Sequence, residues 1–418
     1  MNRDFEELKA LTENIFNNPE LGYKEFNTNK LAKDYVKKYY TNVKFEDFAR
    51  TGFSFYLGDK NKDLTLGFIA ELDAVYLPNH FNANKETGAA HVCGHYTQVT
   101  IALGLFKMLL DSGDYKNLNY NIKFIFVPAE EYLDLESRKE LRDKKEIYYF
   151  GGKPEAMRLG VFDDVDFGIC VHAIGGYHEK RSIEINSDLD GFLYKYFTFK
   201  GKASHAGFAP WDGVNAQSMA ILCQNAIAFL RQQIDESKMV RINPVFFNAP
   251  MGTNVICDEI KIGTDLRSND NDYMVSFGEK LNNAAYGSAL SLGGEVIVET
   301  EMGYLPFIQD RYLSSMCKDY YLKEYSHLHL FENRAIAAAG DIGDLSFMIP
   351  CIQIGYSGFK GTIHGVDFVH DDLEFILDEF VNFLYGFLID MSPKILKEKL
   401  YRRTYEEYEK LINTLGGN

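Results

Sequence analysis

Three stretches of this chain are apolar almost without a break, and each ends on side chains that can bind a metal or move a proton: LTLGFIAELDA (64–74), NIKFIFVPAEE (121–131) and VDFGICVHA (165–173). A strand with no polar face has to be covered on both sides, as in a parallel sheet packed between helices. In open sheets of that kind, functional groups gather beyond the carboxyl ends of the strands. Glu71 and Asp73, Glu130 and Glu131, and His172 fall at just such ends. Hydrophobic periodicity predicts amphipathic helices over 5–16 and 27–39. After His95, the residues Val99, Ala102, Leu103, Phe106 and Leu110 form the apolar stripe of another helix.

At 418 residues the chain is long for one ordinary domain. Its character changes near 184, where SIEINSDLDGFLYKYFTFKGKAS alternates apolar and polar residues as antiparallel strands do. A helix over 214–233, a strand EIKIGTDLRS, a helix NDYMVSFGEKLNNAA and a strand GEVIVETEM then suggest a small open sheet with helices on one face. From about 303 the first pattern returns, with a strand at 351–358 and a long amphipathic helix at 371–390. The expected fold is α/β: a mostly parallel sheet covered by helices over 1–184 and 302–418, interrupted by a smaller α+β domain over 185–301.

A formal charge of −16 disfavours nucleic acid and anionic membranes, because phosphate binding needs clustered Lys and Arg. No run approaches the roughly 18 apolar residues of a membrane span. The N-terminus, MNRDFEELKALTENIF, reads as a charged helix with no apolar signal region. The six cysteines are scattered without paired spacing, which suits a reducing cytoplasm. No glycine-rich G-x-x-x-x-G-K phosphate loop occurs, which argues against a nucleotide enzyme.

Further donors lie in two loops: His91, Cys93 and His95 in AHVCGHYTQ, and His364 in GYSGFKGTIHG. Imidazole, thiolate and carboxylate form a borderline-soft set that suits zinc or manganese. Each piece alone has a plainer reading. Cys93 could be core filler beside capping histidines, Glu130 and Glu131 an ordinary strand-to-helix turn, and His172 a satisfied core histidine. Their recurrence at several strand ends of one expected sheet favours a metal centre.

With these motifs in view, the chain resembles the aminoacylase/carboxypeptidase superfamily of two-metal peptidases. Within it, the likeness is to the amidohydrolase branch of auxin-conjugate, hippurate and aminobenzoyl-glutamate hydrolases. The matching segments are NPELGYKEFNT (18–28), ELDA (71–74), AHVCGH (90–95), PAEE (128–131), GGKPEAMRLGVFDDVDFG leading to His172, GKASHAGFAPWDGVNA (201–216), GTNVI (252–256), GDIGDLSFMIP (340–350) and GTIHG. The resemblance implies two divalent ions per chain, Zn2+ or Mn2+, held by Cys93, His95, Glu131, His172 and His364. It implies Glu130 as general base to a hydroxide held between the ions, and Asp73 as the carboxylate that orients the ligands. His205 matches a histidine of the inserted domain that stabilises the tetrahedral oxyanion, often from the partner of a dimer. Asn254 and Arg267 are candidates for binding substrate carboxylate or carbonyl groups, although Arg267 could equally form a salt bridge within its own domain. The larger domain would then be catalytic and the insertion a lid and homodimerisation domain. The implied reaction is hydrolysis of the amide bond of N-acyl or N-aroyl amino acids. A dipeptidase using the same centre, and a non-catalytic ligand-binding relative, are the competing readings.

Tyr96 and Gln98 depart from the branch, whose motif continues with Asp and then His at those places. Tyr96 can donate a hydrogen bond but brings no charge, so either the enzyme is divergent and active or one metal site is weakened. His80, His178 and His370 read as surface or loop residues, and His327 and His329 as one face of a strand. The run KILKEKLYRRTYEEYEKL reads as a solvated or interface helix.

Overall fold

The computed structural model describes residues 3–248 and 252–416. Two compact units emerge: Met1–Ser187 with Gln309–Arg334 and Asp344–Tyr405, and Asp188–Ile308 with Ala335–Gly343 and Glu406–Asn418. None of the described helices is long and apolar enough to cross a membrane.

The first unit is built on an eight-stranded sheet. Its order is Glu46–Phe48, Gly52–Leu57, Asn121–Val127, Thr65–Glu71, Phe167–Ala173, Cys351–Tyr356, Ser182–Ile185 and His329–Glu332. The four central strands, from Asn121–Val127 to Cys351–Tyr356, run parallel to one another. Every residue of Thr65–Glu71 and of Asn121–Val127 is buried, which is why both read as unbroken apolar runs. Helices at Arg3–Asn17, His95–Ser112 and Phe380–Met391 cover the core. On the flank of the sheet, Phe53 stacks on Phe126 with ring centroids 4.5 Å apart, and Phe55 on Phe124 at 5.3 Å.

Two local expectations change. The helix over 371–390 forms as a π-helical turn, Phe375–Glu379, running into the α-helix Phe380–Met391. The run beginning at Lys394 is not one helix, since regular α-helix starts only at Tyr405. Before it, the guanidinium of Arg402 donates to the carbonyls of Val165 and Phe162, and that of Arg403 to the carbonyl of Phe347. These tertiary bonds outweigh the helix propensity of the segment.

In the second unit, an antiparallel sheet runs Arg241–Ile242, Glu259–Ser268, Gly191–Lys200, Glu295–Tyr304, with Val245–Phe246 also paired to Glu259–Ser268. Helices Ala216–Leu230 and Asn271–Ser291 pack on each other and on this sheet. Gly191–Lys200 alternates buried and half-buried residues along most of its length, the signature of a sheet covered on one face.

Candidate metal centre

The loops that follow the four central parallel strands carry the donors, side by side, as the strand order requires. Glu71 ends its strand and Asp73 lies two residues on, Glu130 and Glu131 follow Asn121–Val127, His172 is the penultimate residue of its strand, and His364 follows Cys351–Tyr356. Cys93 and His95 come from the start of the helix His95–Ser112. Gly94 makes that entry possible: its φ is +94°, and a Cβ there would stand 2.6 Å from the Ala173 side chain. Ala129 (φ 55°) and His364 (φ 63°) also take left-handed backbone, the kind of local strain that collects at functional sites.

The donors fall into groups whose ligand atoms lie within 4.8 Å of one another: Cys93 with His95 and His172, Cys93 with Glu131 and His364, and Glu71 with His95 and Glu130. Cys93 belongs to two of them. Its sulfur is 3.5 Å from His172 Nε2, and His364 Nε2 is 2.9 Å from Glu131 Oε1. Two of the imidazoles are turned by their other nitrogen. His172 Nδ1 donates to the Ala173 carbonyl at 2.9 Å. His95 Nδ1 lies 2.9 Å from the Asp73 carbonyl and 3.1 Å from Asp73 Oδ1, while Asp73 Oδ2 accepts from the Glu131 N–H at 3.0 Å. Asp73 therefore fixes a histidine and a glutamate at once. The remaining nitrogen, His95 Nε2, is fully buried. A thiol, three imidazoles and carboxylates converging on one buried spot fit zinc or a similar divalent ion.

Electrostatics agree with that fit. Burial raises the Glu131 carboxyl, yet His364 and His95 hold it down to about 2. Burial and Glu131 raise the Cys93 thiol, but His172 and His95 bring it to about 6. Burial lowers the imidazoles, and the anionic donors more than reverse this: Cys93 and Glu71 raise His172 to about 8, Cys93 and Glu131 raise His364 to about 11, and Cys93 and Glu71 carry His95 well above its ordinary value. Without a metal ion, the anionic donors thus favour the protonated form of these histidines. Divalent ions must displace those protons, so zinc binding at pH 7 is expected to release protons, and affinity to rise with pH as the imidazoles lose theirs. Calorimetric titration in buffers of different ionisation enthalpy measures the release. A binding heat independent of the buffer would contradict it.

Of the residues singled out from sequence, Cys93, His95, Glu131, His172, His364, Glu130 and Asp73 share this one cluster. His205, Asn254 and Arg267 belong to the second unit. There the exposed His205 accepts the Gly207 and Phe208 N–H groups at Nδ1, at 3.2 and 3.0 Å, and the Ala206 N–H reaches the Asn254 carbonyl at 2.9 Å. Arg267 donates to Asp265 and to the Ala337 carbonyl, both at 3.1 Å, beside the Phe192 ring. Tyr96 is a core residue, with its hydroxyl 3.0 Å from His370 Nδ1 and its ring against Phe16. His80 is buried, with Nε2 2.9 Å from the Phe368 carbonyl, so it is a structural residue of its loop and not a surface one.

Sequence reasoning gave no role to Glu25 or Lys153. Glu25 is fully buried, accepts the Ala129 N–H at 2.8 Å, and is pushed up to about 8 by burial and by Asp73. It holds the left-handed turn that presents Glu130. Its only sequence signal was its place in NPELGYKEFNT.

Comparison with known proteins agrees with this architecture. The model of Peptidase family M20/M25/M40 matches residues 67–384. N-acetyldiaminopimelate deacetylase of Streptococcus pneumoniae (strain CGSP14) is 25% identical over 349 residues, covering 78% of this chain and 84% of that protein. The YXEP protein of Bacillus subtilis, a dinuclear metal-binding peptidase from the M20 family, superposes with a TM-score of 0.73 at 16% identity, over 94% of this chain and 99% of that one. Aminobenzoyl-glutamate utilization protein from Klebsiella pneumoniae superposes at 0.61 and 16% identity, over 92% of this chain and 94% of its own.

Proposed function

The chain belongs to peptidase family M20/M25/M40 and is a metal-dependent amidohydrolase, and from that premise we propose that it hydrolyses the amide bond of N-acyl or N-aroyl amino acids. The observation that carries the reading is the single sulfur of Cys93 offered to two donor groups. Cys93, His95 and His172 would hold one ion, and Cys93, Glu131 and His364 the other, both Zn2+ or Mn2+. Ions held there would supply Lewis acidity, polarising the scissile carbonyl and lowering the pKa of a bound water.

The chain's own residues do the rest. Glu130 Oε2 lies 3.8 Å from His95 Nε2, in a donor group with His95 and Glu71. It takes the proton of the attacking water and hands it to the leaving amine nitrogen. Asp73 keeps the Nε2 lone pair of His95 aimed at the ion. With Nδ1 of His205 accepting two backbone N–H groups, its proton sits on Nε2, where it can donate to a tetrahedral oxyanion. Asn254 and Arg267 are assigned to the substrate's carbonyl and carboxylate. Exposed Ile221, Leu222 and Phe229 on one helix of the second unit, with Tyr286 and Leu290 on the other, support a homodimer through that unit. All six cysteines are free thiols, which supports a reducing compartment, the cytoplasm.

A panel of N-acetyl and N-aroyl amino acids, aminobenzoyl-glutamate and free dipeptides tests the reading on zinc-, manganese- and cobalt-loaded protein. Turnover of the acylated compounds above their free-amine counterparts is expected. Preference for dipeptides with a free amino group would assign the same centre to a dipeptidase.

A further inference from the structure

The strand Thr65–Glu71 ends on a carboxylate that is only 3% exposed. A buried anion needs partners, and Glu71 has them on two sides. Lys153, itself completely buried, donates to Oε1 at 2.5 Å. Gln98 donates from Nε2 to Oε2 at 2.7 Å and accepts the Glu71 N–H at Oε1, at 3.3 Å. Lys153 reaches this point because its helix Gly152–Arg158 starts hard against the turn after Asn121–Val127. A Cβ on Gly152 would lie 1.6 Å from the Pro128 carbonyl oxygen, so only glycine allows that approach.

These bonds leave one direction for Oε2. It stands 3.1 Å from His95 Nε2, a fully buried nitrogen. Two donor atoms bound to one ion at about 2.0–2.2 Å stand roughly 2.9–3.5 Å apart, for bond angles from octahedral to tetrahedral. The observed spacing falls within that range. We propose that Glu71 is a further protein donor to the ion held by His95, and that Lys153 and Gln98 are the positioning residues that set its carboxylate there. The proposal rests on the two-metal reading above. The Lys153 ammonium balances the added negative charge on the side away from the ion, so the centre gains a donor without an uncompensated buried anion.

Glu71→Gln alone would take a charge partner from the buried Lys153, so the test uses the neutral pair Glu71→Gln/Lys153→Met. Zn2+ affinities are measured for both ions by competition titration, with the visible absorption of the Co2+-loaded protein and the melting temperature before metal loading. The double variant is expected to melt near the wild type. It should bind the Glu131/His364 ion normally, weaken the other at least about tenfold, and change the Co2+ spectrum. Glu71→Asp, which keeps a charge opposite Lys153 but withdraws the carboxylate, should change that spectrum in the same way. Unchanged affinities and an unchanged spectrum in both variants would reduce Glu71 to the salt-bridge partner of Lys153 and overturn the proposal, leaving two metals in place. Wild-type protein that binds no second ion would overturn the two-metal reading, and the proposal with it.

Discussion

Glu130→Gln is expected to lower kcat by about 10²–10⁴-fold while the protein keeps both metal ions. The substitution preserves shape and hydrogen-bonding capacity but removes the atom that accepts a proton. Substrate binding draws on other groups, so KM should move little, the pattern of an interaction made only in the transition state. Metal analysis alongside the kinetics makes the result decisive. Glu130 also forms a donor group with His95 and Glu71, its Oε2 3.8 Å from His95 Nε2, so loss of an ion in the variant would make Glu130 a ligand instead. Wild-type turnover would remove it from the chemistry altogether.

Cys93→Ala is expected to have a broader effect, because its sulfur is common to two donor groups. Changing groups that merely orient ligands typically costs about 10–100-fold in metal affinity. Removing a direct donor shared by two ions should exceed that at both positions, and activity should fall with them. His172→Ala and His364→Ala are the controls, since each belongs to one group and should weaken one ion. Metal content and competition titration on the three variants give the pattern. A Cys93→Ala protein that loses only one ion would show that the thiol is not shared.

Much of this could be read in the sequence, for identifiable reasons. The central strands are buried on both faces, so 64–74, 121–131 and 165–173 announce themselves by unbroken hydrophobicity, and the donors mark their ends. Lateral order is different. Nothing local says that Cys351–Tyr356 lies beside Phe167–Ala173, or that Ser182–Ile185 joins the same sheet antiparallel to Cys351–Tyr356, because pairing is decided by contacts across the whole unit. Glu71 and Lys153 illustrate the limit best. Glu71 is marked by its place at a strand end, but a lysine in the first turn of a short helix is an ordinary surface residue by pattern. Only the approach allowed by Gly152 makes them a buried pair. Tyr96 read as a missing charge at the site, whereas the fold turns it toward Phe16 and His370.

The donors also set an order of events. His364 stands 271 positions after Cys93 in the chain, and its loop reaches the others only once Cys351–Tyr356 has docked beside Phe167–Ala173. A chain emerging from synthesis has Cys93, His95 and Glu131 long before that last strand exists, and therefore only part of either donor group. The complete pair of sites is a product of tertiary closure. Ions that bind the closed form and not the open one draw the equilibrium toward it, by an amount that grows with the logarithm of free metal. On this reading, metal supply would act as a latch on a unit whose sequence is interrupted, fastening its late strand to its early ones.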